Sequence, residues 1–360
     1  MAYIYGKKYT KSELLKRVGD ISQIAQIKRY KLTEGNESQV EAIDINTGTG
    51  FSFTVLPGRG MDISYAQYCG KPLCWRSSTG DVNPSFFDSH KYEWLRNFFG
   101  GLLTTCGLTY AGHPCTDEGE ELGLHGRINN IPAKNVYSDG EWDKDEYTLF
   151  AQGKVRETKV FGEDLCLTRK ITAKLGETTL HIKDIVENLG TTKTPHMILY
   201  HINGGFPVID KDSILISPTK IAHPRDDEAK KNAQEYNKFM EPISGYKEKC
   251  YYHEMIPDKN GYVYTALANK KLGFGFYIKY SISELPNFIE WKMTGEGLYV
   301  VGIEPANCCI STRANLRKEG KLPFLAAGEK KEYNIEIGVL KSNDEIKELE
   351  KKVNRIKGER

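Results

Sequence analysis

Over long stretches of this chain, apolar residues recur at every second position. Leu272, Phe274, Phe276 and Ile278 alternate with Gly273, Gly275, Tyr277 and Lys279, and Tyr333, Ile335, Ile337 and Val339 alternate with Asn334, Glu336 and Gly338. A period of two puts all the apolar side chains of a strand on one face, which is the mark of half-buried antiparallel strands. Val40–Ile45 and Phe51–Leu56 flank the turn-rich NTGTG and read as a hairpin. Glu146–Val155, Leu165–Ala173 and Thr178–Val186 follow, divided by FGED and KLGE. In the last of these, Leu180, Ile182 and Val186 share a face that Asp184 interrupts. Many strands, glycine turns and no regular alternation of strand with helix predict an all-β fold, a large antiparallel sandwich with short peripheral helices.

The pattern changes at the ends. Residues 10–25 read as one or two short helices, so residues 1–30 form a predicted helical lead-in to a sandwich core spanning 31–341. Ile346, Leu349, Val353 and Ile356 recur at helical spacing behind the capping pattern of Ser342 and Glu345, which predicts a docked helix over 342–360. Residues 222–250 are polar and lack a strand pattern, as expected of an excursion between strands, with room for a short helix. No internal repeat or low-complexity linker divides the chain, so one domain is expected.

Composition narrows the function classes. The 34 glycines and 21 tyrosines suit turns and strands better than helices. Fifty basic against 48 acidic residues leave a net charge of +2, which gives no field for nucleic acid or an anionic membrane. The opening MAYIYGKKYTK has no apolar stretch of the kind a secretion signal carries, and no segment approaches the ~20 apolar residues of a membrane helix. The eight cysteines form no CxxC pair, and Cys308 and Cys309 are adjacent. Reduced, mostly buried thiols in a cytoplasmic protein are therefore expected.

Five segments depart from the alternation: LPGRGMDI (56–63), FFGGLLTTCGL (98–108), LGLHGRINNIPA (122–133), ILYHINGGFP (198–207) and VVGIEPANC (300–308). Each sets polar groups beside glycine or proline next to an apolar run, as strands do where they enter a concave site. His125, His201 and Glu304 stand out. A carboxylate with imidazoles is the minimal set for acid–base work near neutral pH. A histidine at a strand end also serves structure alone, and Glu304 could equally be an edge or salt-bridged carboxylate. Trp75, Trp94 and Trp291 are either core residues or platforms on which a sugar stacks.

LHGRINNIPA, YHINGG following ENLG (187–190), and GIEPANC, in that order, resemble the motifs of the aldose 1-epimerase (galactose mutarotase-like) superfamily over roughly Val40 to Leu340. LPGRGMDI and GGLLTTCGL point to a divergent branch of it. The resemblance implies a galactose mutarotase-like supersandwich and an isomerase that interconverts sugar anomers by opening the ring. It implies Glu304 as the base on the C1 hydroxyl, His201 as the acid on the ring oxygen and His125 as an orienting group, with no cofactor and no metal. The family's arginine segment is missing from GGLLTTCGL, and its sugar-binding aspartate has no evident counterpart. Arg59, Asp62 and Arg127 are the candidate replacements, with Asn203 and Thr105 as hydroxyl binders expected to share the face of His201. The two arginines would suit an acidic or phosphorylated sugar. A small-molecule sugar is the expected partner, with a homodimer left open. A sugar-binding or sensor protein without catalysis, a related sugar isomerase, and a metal-dependent isomerase built on the same three residues are the competing readings.

Overall fold

The computed structural model describes residues 1–358. Its framework is three antiparallel sheets of eight, six and five strands, with three two-stranded ribbons beside them. The five-stranded sheet runs from Gln26–Lys31 through Glu41–Asn46, Phe51–Leu56 and Asp62–Tyr68 to Lys71–Pro72. The eight-stranded sheet is ordered Lys134–Asp143, Glu146–Thr158, Asp164–Lys174, Thr179–Asn188, Lys330–Leu340, Phe274–Ser281, Tyr262–Asn269, Ile214–Ile216. The six-stranded sheet is ordered Thr219–Pro224, Lys249–Met255, Asn287–Gly295, Leu298–Ala306, Met197–Gly205, Thr104–Leu108.

The alternation seen in the sequence decides which face of each strand is inside. One apolar cluster joins Phe53 and Val55 of the five-stranded sheet, Leu167, Ile171 and Ile182 of the eight-stranded sheet, and Ile198, Tyr200, Ile202, Val301 and Ile303 of the six-stranded sheet. The opposite face of the six-stranded sheet carries Met197, Leu199, Ile289 and Ala306. These pack with Trp94, Phe98, Leu122 and Leu124 from the loops into a second, smaller cluster. The six-stranded sheet is therefore covered on both faces, and polar residues of either parity along its strands become buried.

The first thirty residues are more strand than helix. Ala2–Ile4 pairs with Lys7–Tyr9, the only α-helix there is Lys11–Leu15, capped by Thr10 and Glu13, and Gln26–Lys31 is already an edge strand of the five-stranded sheet. The sequence QIKRYK conceals that strand because it is mostly solvent-facing. Thr219–Pro224 forms the sheet edge from which the polar excursion leaves, and the excursion contains a short helix at Asp227–Lys230. The last helix, Asn343–Gly358, buries Ile346 and Val353 against Ile216, Ala266, Ala268 and Leu340, and Ile356 is buried as well. The Ser342 hydroxyl accepts from the Glu345 amide at 3.2 Å, while the Glu345 carboxylate accepts from the Lys341 amide at 2.7 Å. The remainder of the expected helix lies outside the described residues.

Candidate functional site

Strand register brings two distant residues together. Leu199 pairs with Ala306 and Ile202 with Ile303, which sets His201 directly opposite Glu304 on neighbouring strands. Side chains so placed have Cβ atoms roughly 4.5–5.5 Å apart, and here His201 Nε2 lies 3.3 Å from Glu304 Oε1. Both side chains leave the sheet on the face away from the main core, into an open-mouthed cavity of about 570 Å³. The same face of the two adjoining strands supplies Ile289, Trp291 and Met293, then Cys250 and Tyr252, and register places Trp291 opposite Gly302. Gly302 sits beside the pair, and its lack of a side chain leaves room for the Glu304 carboxylate.

The other wall comes from loops. Trp75, Trp94 and Phe98 line it, with Trp94 stacked on Phe98 at 4.7 Å between ring centroids. His125 enters from a turn with a positive backbone φ of 58°, its ring 6.0 Å from that of His201 and perpendicular to it. Its amide donates to the Gly112 carbonyl, and its carbonyl accepts from the Gly107 amide. That hold fixes a backbone conformation unusual for a residue with a Cβ. His201 is 5.3 Å from Trp291 and 5.1 Å from Phe98, so the imidazole is walled by aromatics.

Burial sets the protonation of the pair. Glu304 and His201 are almost wholly buried, and Glu304 Oε1, His201 Nδ1 and His125 Nδ1 have no hydrogen-bond partner. Desolvation pushes the Glu304 carboxyl well above the usual carboxylate range, with a further push from Glu248. Desolvation pulls His201 down to about 4 against opposing effects of Asn203 and Glu248, and holds His125 well below the ordinary imidazole value. Burial thus favours a protonated carboxyl facing a neutral imidazole. Moving that proton across the gap gives a carboxylate and an imidazolium with no change in net charge.

The structure brings His125, His201 and Glu304 into one cavity and places the other predicted contacts elsewhere. Arg59 does point inward, but its guanidinium donates to the carbonyls of Asn129, Val82 and Asn97 at 2.6–2.9 Å and is fully buried. It fastens the loops that carry Trp94 and Phe98 and does not line the cavity. Asp62 accepts from the Thr105 amide and hydroxyl and from Arg169, inside the main core. Thr105 pairs with Tyr200 and shares its parity, while Thr104 is the residue opposite His201. Asn203 does share the face of His201, and its amide donates to the carbonyls of Gly100, Gly101 and His201. Arg127 is exposed outside the cavity because the chain leaves the turn at His125 for a 3₁₀ segment, Ile128–Asn130, and no strand carries the face onward.

The sequence reading missed Arg225 and Glu248, which line the cavity from the two ends of the polar excursion. Among the described residues Arg225 is the one arginine or lysine in the lining. It donates to Asp226 at 2.8 Å, Glu248 at 3.0 Å and Cys250 Sγ at 3.0 Å, and Glu248 also accepts from the Trp291 indole at 2.9 Å. The only hint in the sequence was charge within a segment that otherwise read as solvent-facing.

The family model described as Domain of unknown function (DUF4432) matches residues 37–339. No curated protein matches the chain. Among solved structures, a candidate aldose 1-epimerase from Klebsiella pneumoniae superposes with a TM-score of 0.88 at 25% identity, over 92% of this chain and 88% of that one. A galactose mutarotase-like protein from Clostridium acetobutylicum gives 0.62 at 15% identity, over 88% and 99% of the two chains. A galactose 1-epimerase from Lactobacillus acidophilus gives 0.57 at 12%, over 88% and 98%. The fold is the galactose mutarotase-like sandwich.

Proposed function

The chain belongs to the DUF4432 family, and from that membership, the fold and the cavity we propose that it is an aldose 1-epimerase-like isomerase that interconverts the anomers of a neutral sugar. The observation that carries this reading is the His201–Glu304 pair, 3.3 Å apart and buried at the end of an aromatic-walled cavity, with hydrogen-bonding capacity left over on both side chains. Burying such groups without partners costs stability, which argues that a ligand supplies them.

In the carboxylate–imidazolium form, Glu304 takes the proton of the C1 hydroxyl while His201 gives its Nε2 proton to the ring oxygen. The bond between C1 and the ring oxygen breaks, leaving an aldehyde and a free hydroxyl. Glu304 is now protonated and His201 neutral, the arrangement that burial favours. After rotation of the aldehyde, the same two protons return and the ring closes on the other face. The cycle is proton-neutral. His125, neutral at this depth, can accept or donate one hydrogen bond to hold the sugar.

A neutral sugar fits the charges. Arg59 and Arg127, on which an acidic substrate would have depended, lie outside the cavity, and Arg225 is already engaged by Asp226 and Glu248. The test is NMR exchange spectroscopy at the anomeric proton across neutral aldoses, uronic acids and sugar phosphates. Neutral aldoses should show accelerated exchange. Glu304→Gln should abolish it, and His201→Asn should slow it by on the order of 10²–10⁴-fold, the worth of a positioned general acid. Full-rate exchange in either variant would remove the assignment.

A further inference from the structure

A second carboxylate–imidazole pair is buried on the other face of the six-stranded sheet. Along Asn287–Gly295 the side chains of Ile289, Trp291 and Met293 line the cavity, while Glu290 and Lys292 alternate with them and face the core. The Glu290 and His253 side chains are fully buried, with Glu290 Oε2 3.3 Å from His253 Nε2. Neither Glu290 oxygen nor His253 Nε2 has a hydrogen-bond partner. On the far side of its ring, His253 Nδ1 bonds to the Thr219 hydroxyl at 2.9 Å, and Thr219 bonds to Ser217 at 2.6 Å. None of these four residues lines the cavity, so a ligand there does not touch them.

Lys292 ties this pair to the polar excursion between Pro224 and Lys249. Its ammonium is buried and donates to the carbonyls of Glu235, Tyr236 and Lys238 at 3.2, 3.3 and 2.5 Å, one acceptor for each of its three donors. It also lies 5.0 Å from the Phe239 ring, and the Tyr236 ring packs edge-on against His253 at 5.2 Å. The ends of the same excursion place Arg225 and Glu248 in the cavity lining. One buried cation therefore holds the middle of a segment whose ends form part of the cavity wall. A buried cation needs a counter-charge, and carbonyls carry none. Glu290 supplies it from two residues along on the same face, about 7 Å away at roughly 3.3 Å per residue. Burial pulls the Lys292 ammonium below its ordinary value; Glu290 pushes back most strongly, Lys249 works against it and Glu235 adds to it. The other groups around Glu290 are Tyr251 and Ile303 opposite it on the two neighbouring strands, Tyr236 and Tyr246 from the excursion, and Tyr280 beyond Phe288 on the facing sheet. Burial holds all four phenols above their ordinary value, so they carry no charge at neutral pH.

We propose that Glu290, His253 and Lys292 form an acid-sensitive clasp on the excursion, gripping it while Glu290 balances the Lys292 ammonium and releasing it when the Glu290–His253 pair takes up protons. With Glu290 ionised and His253 neutral, the three side chains sum to zero charge. A proton on either member of the pair leaves a net +1 in a buried space, and a second leaves +2, with Lys249 adding to the repulsion. The sheet strands cannot move apart to relieve this without breaking their ladder. The excursion can, by letting water reach Lys292 in place of its three carbonyls. Arg225 and Glu248 then leave the cavity lining, and the Trp291 indole loses its acceptor on Glu248.

The test is hydrogen–deuterium exchange of the full chain from about pH 8 to about pH 5, the span in which an imidazole ordinarily titrates, corrected for the intrinsic pH dependence of amide exchange. Protection of peptides within 226–248 should fall on acidification on the order of tenfold more than that of the strands Tyr262–Asn269 and Phe274–Ser281. In Glu290→Gln the excursion should already be poorly protected at the alkaline end, with little further change. His253→Gln should keep the parental protection there and lose part of the acid response. Excursion protection in the unaltered protein that holds or rises on acidification, relative to those strands, overturns the proposal. So does an acid response that persists undiminished in both variants, or one that disappears in Glu304→Gln, which would place its origin in the cavity. The readout needs no sugar, so the clasp stands or falls apart from the enzymatic reading.

Discussion

Tyr200 and His201 are neighbours in sequence and point to opposite faces of the six-stranded sheet, and each belongs to a buried cluster that contains carboxylates. On the core side the Tyr200 hydroxyl donates to Asp184, Arg169 donates three bonds to Asp184 and one to Asp62, and Asp62 takes two more from Thr105. Their side chains are fully buried and none has a buried polar atom without a partner. On the cavity side His201 and Glu304 are almost as deeply buried, yet each keeps an atom unpartnered. The first cluster is closed: its polar atoms are all partnered within it, and a ligand would have nothing to bind. The second is open, and the missing partners are what a substrate can supply. Burial and charge alone do not separate a structural carboxylate from one available for chemistry, whereas the account of hydrogen-bond partners does.

The contrast is broken most sharply by removing one member of each cluster. Arg169→Met leaves Asp62 and Asp184 buried without their counter-charge and should cost about 3–5 kcal/mol, read from urea unfolding. Burial pulls the Arg169 guanidinium down, but Asp184 and then Asp62 outweigh it and hold the group above its ordinary value, so it stays charged. A loss under about 1 kcal/mol would show that the closed cluster is not what holds the sheets together there.

The open cluster should respond to pH. The unfolded chain ionises Glu304 above its ordinary 4.5, while the folded chain keeps it protonated to a higher pH. The folded state therefore loses stability as pH rises through that window, by about 1.4 kcal/mol per pH unit. His201, held at about 4 against an ordinary 6.5, contributes the reverse slope between those two values, since the unfolded imidazole binds a proton that the folded one refuses. Where the two windows overlap, the slopes oppose each other. Glu304→Gln should leave only the histidine slope. Its melting temperature should match the parent near pH 4.5 and exceed it increasingly as pH rises through the window in which the folded carboxyl stays protonated. Parallel stability curves for parent and variant would mean that Glu304 is ionised in the fold.

Much of the framework was legible because an alternating pattern is a local signal. Phe51–Leu56 and Glu146, where a predicted strand begins, match the observed strand bounds. His201 and Glu304 were legible as a pair through motif order, and register explains why they meet. The errors came from parity and from what the chain does after a turn. Thr105 was read one position out of phase with Thr104, and a slip of one residue reverses the face. Arg127 was carried onward along a strand that ends at Leu122, before the turn at His125, whose positive φ no alternation predicts. Arg59 was aimed correctly, but its targets are backbone carbonyls, which leave no mark in a sequence. Arg225 and Glu248 come together only because the polar excursion begins and ends on adjacent strands, the edge strand and its neighbour.

Gly302 offers the finest test of the open cluster. A Cβ built there meets the Glu304 carboxylate and lies 3.1 Å from His201 Cε1. The carboxylate is the far end of a flexible side chain, so Gly302→Ala should fold with a stability change within about 1 kcal/mol, the Glu304 side chain swinging aside. What it loses is the alignment of the carboxylate with the imidazole across 3.3 Å. Displacements of that size at reacting groups reduce rate steeply, and anomeric exchange should fall on the order of tenfold with sugar affinity little changed. The closed cluster has slack of no such kind, since each of its atoms is held by a partner. Exchange at the parental rate in the alanine variant would mean that the distance between the two side chains does not limit the reaction.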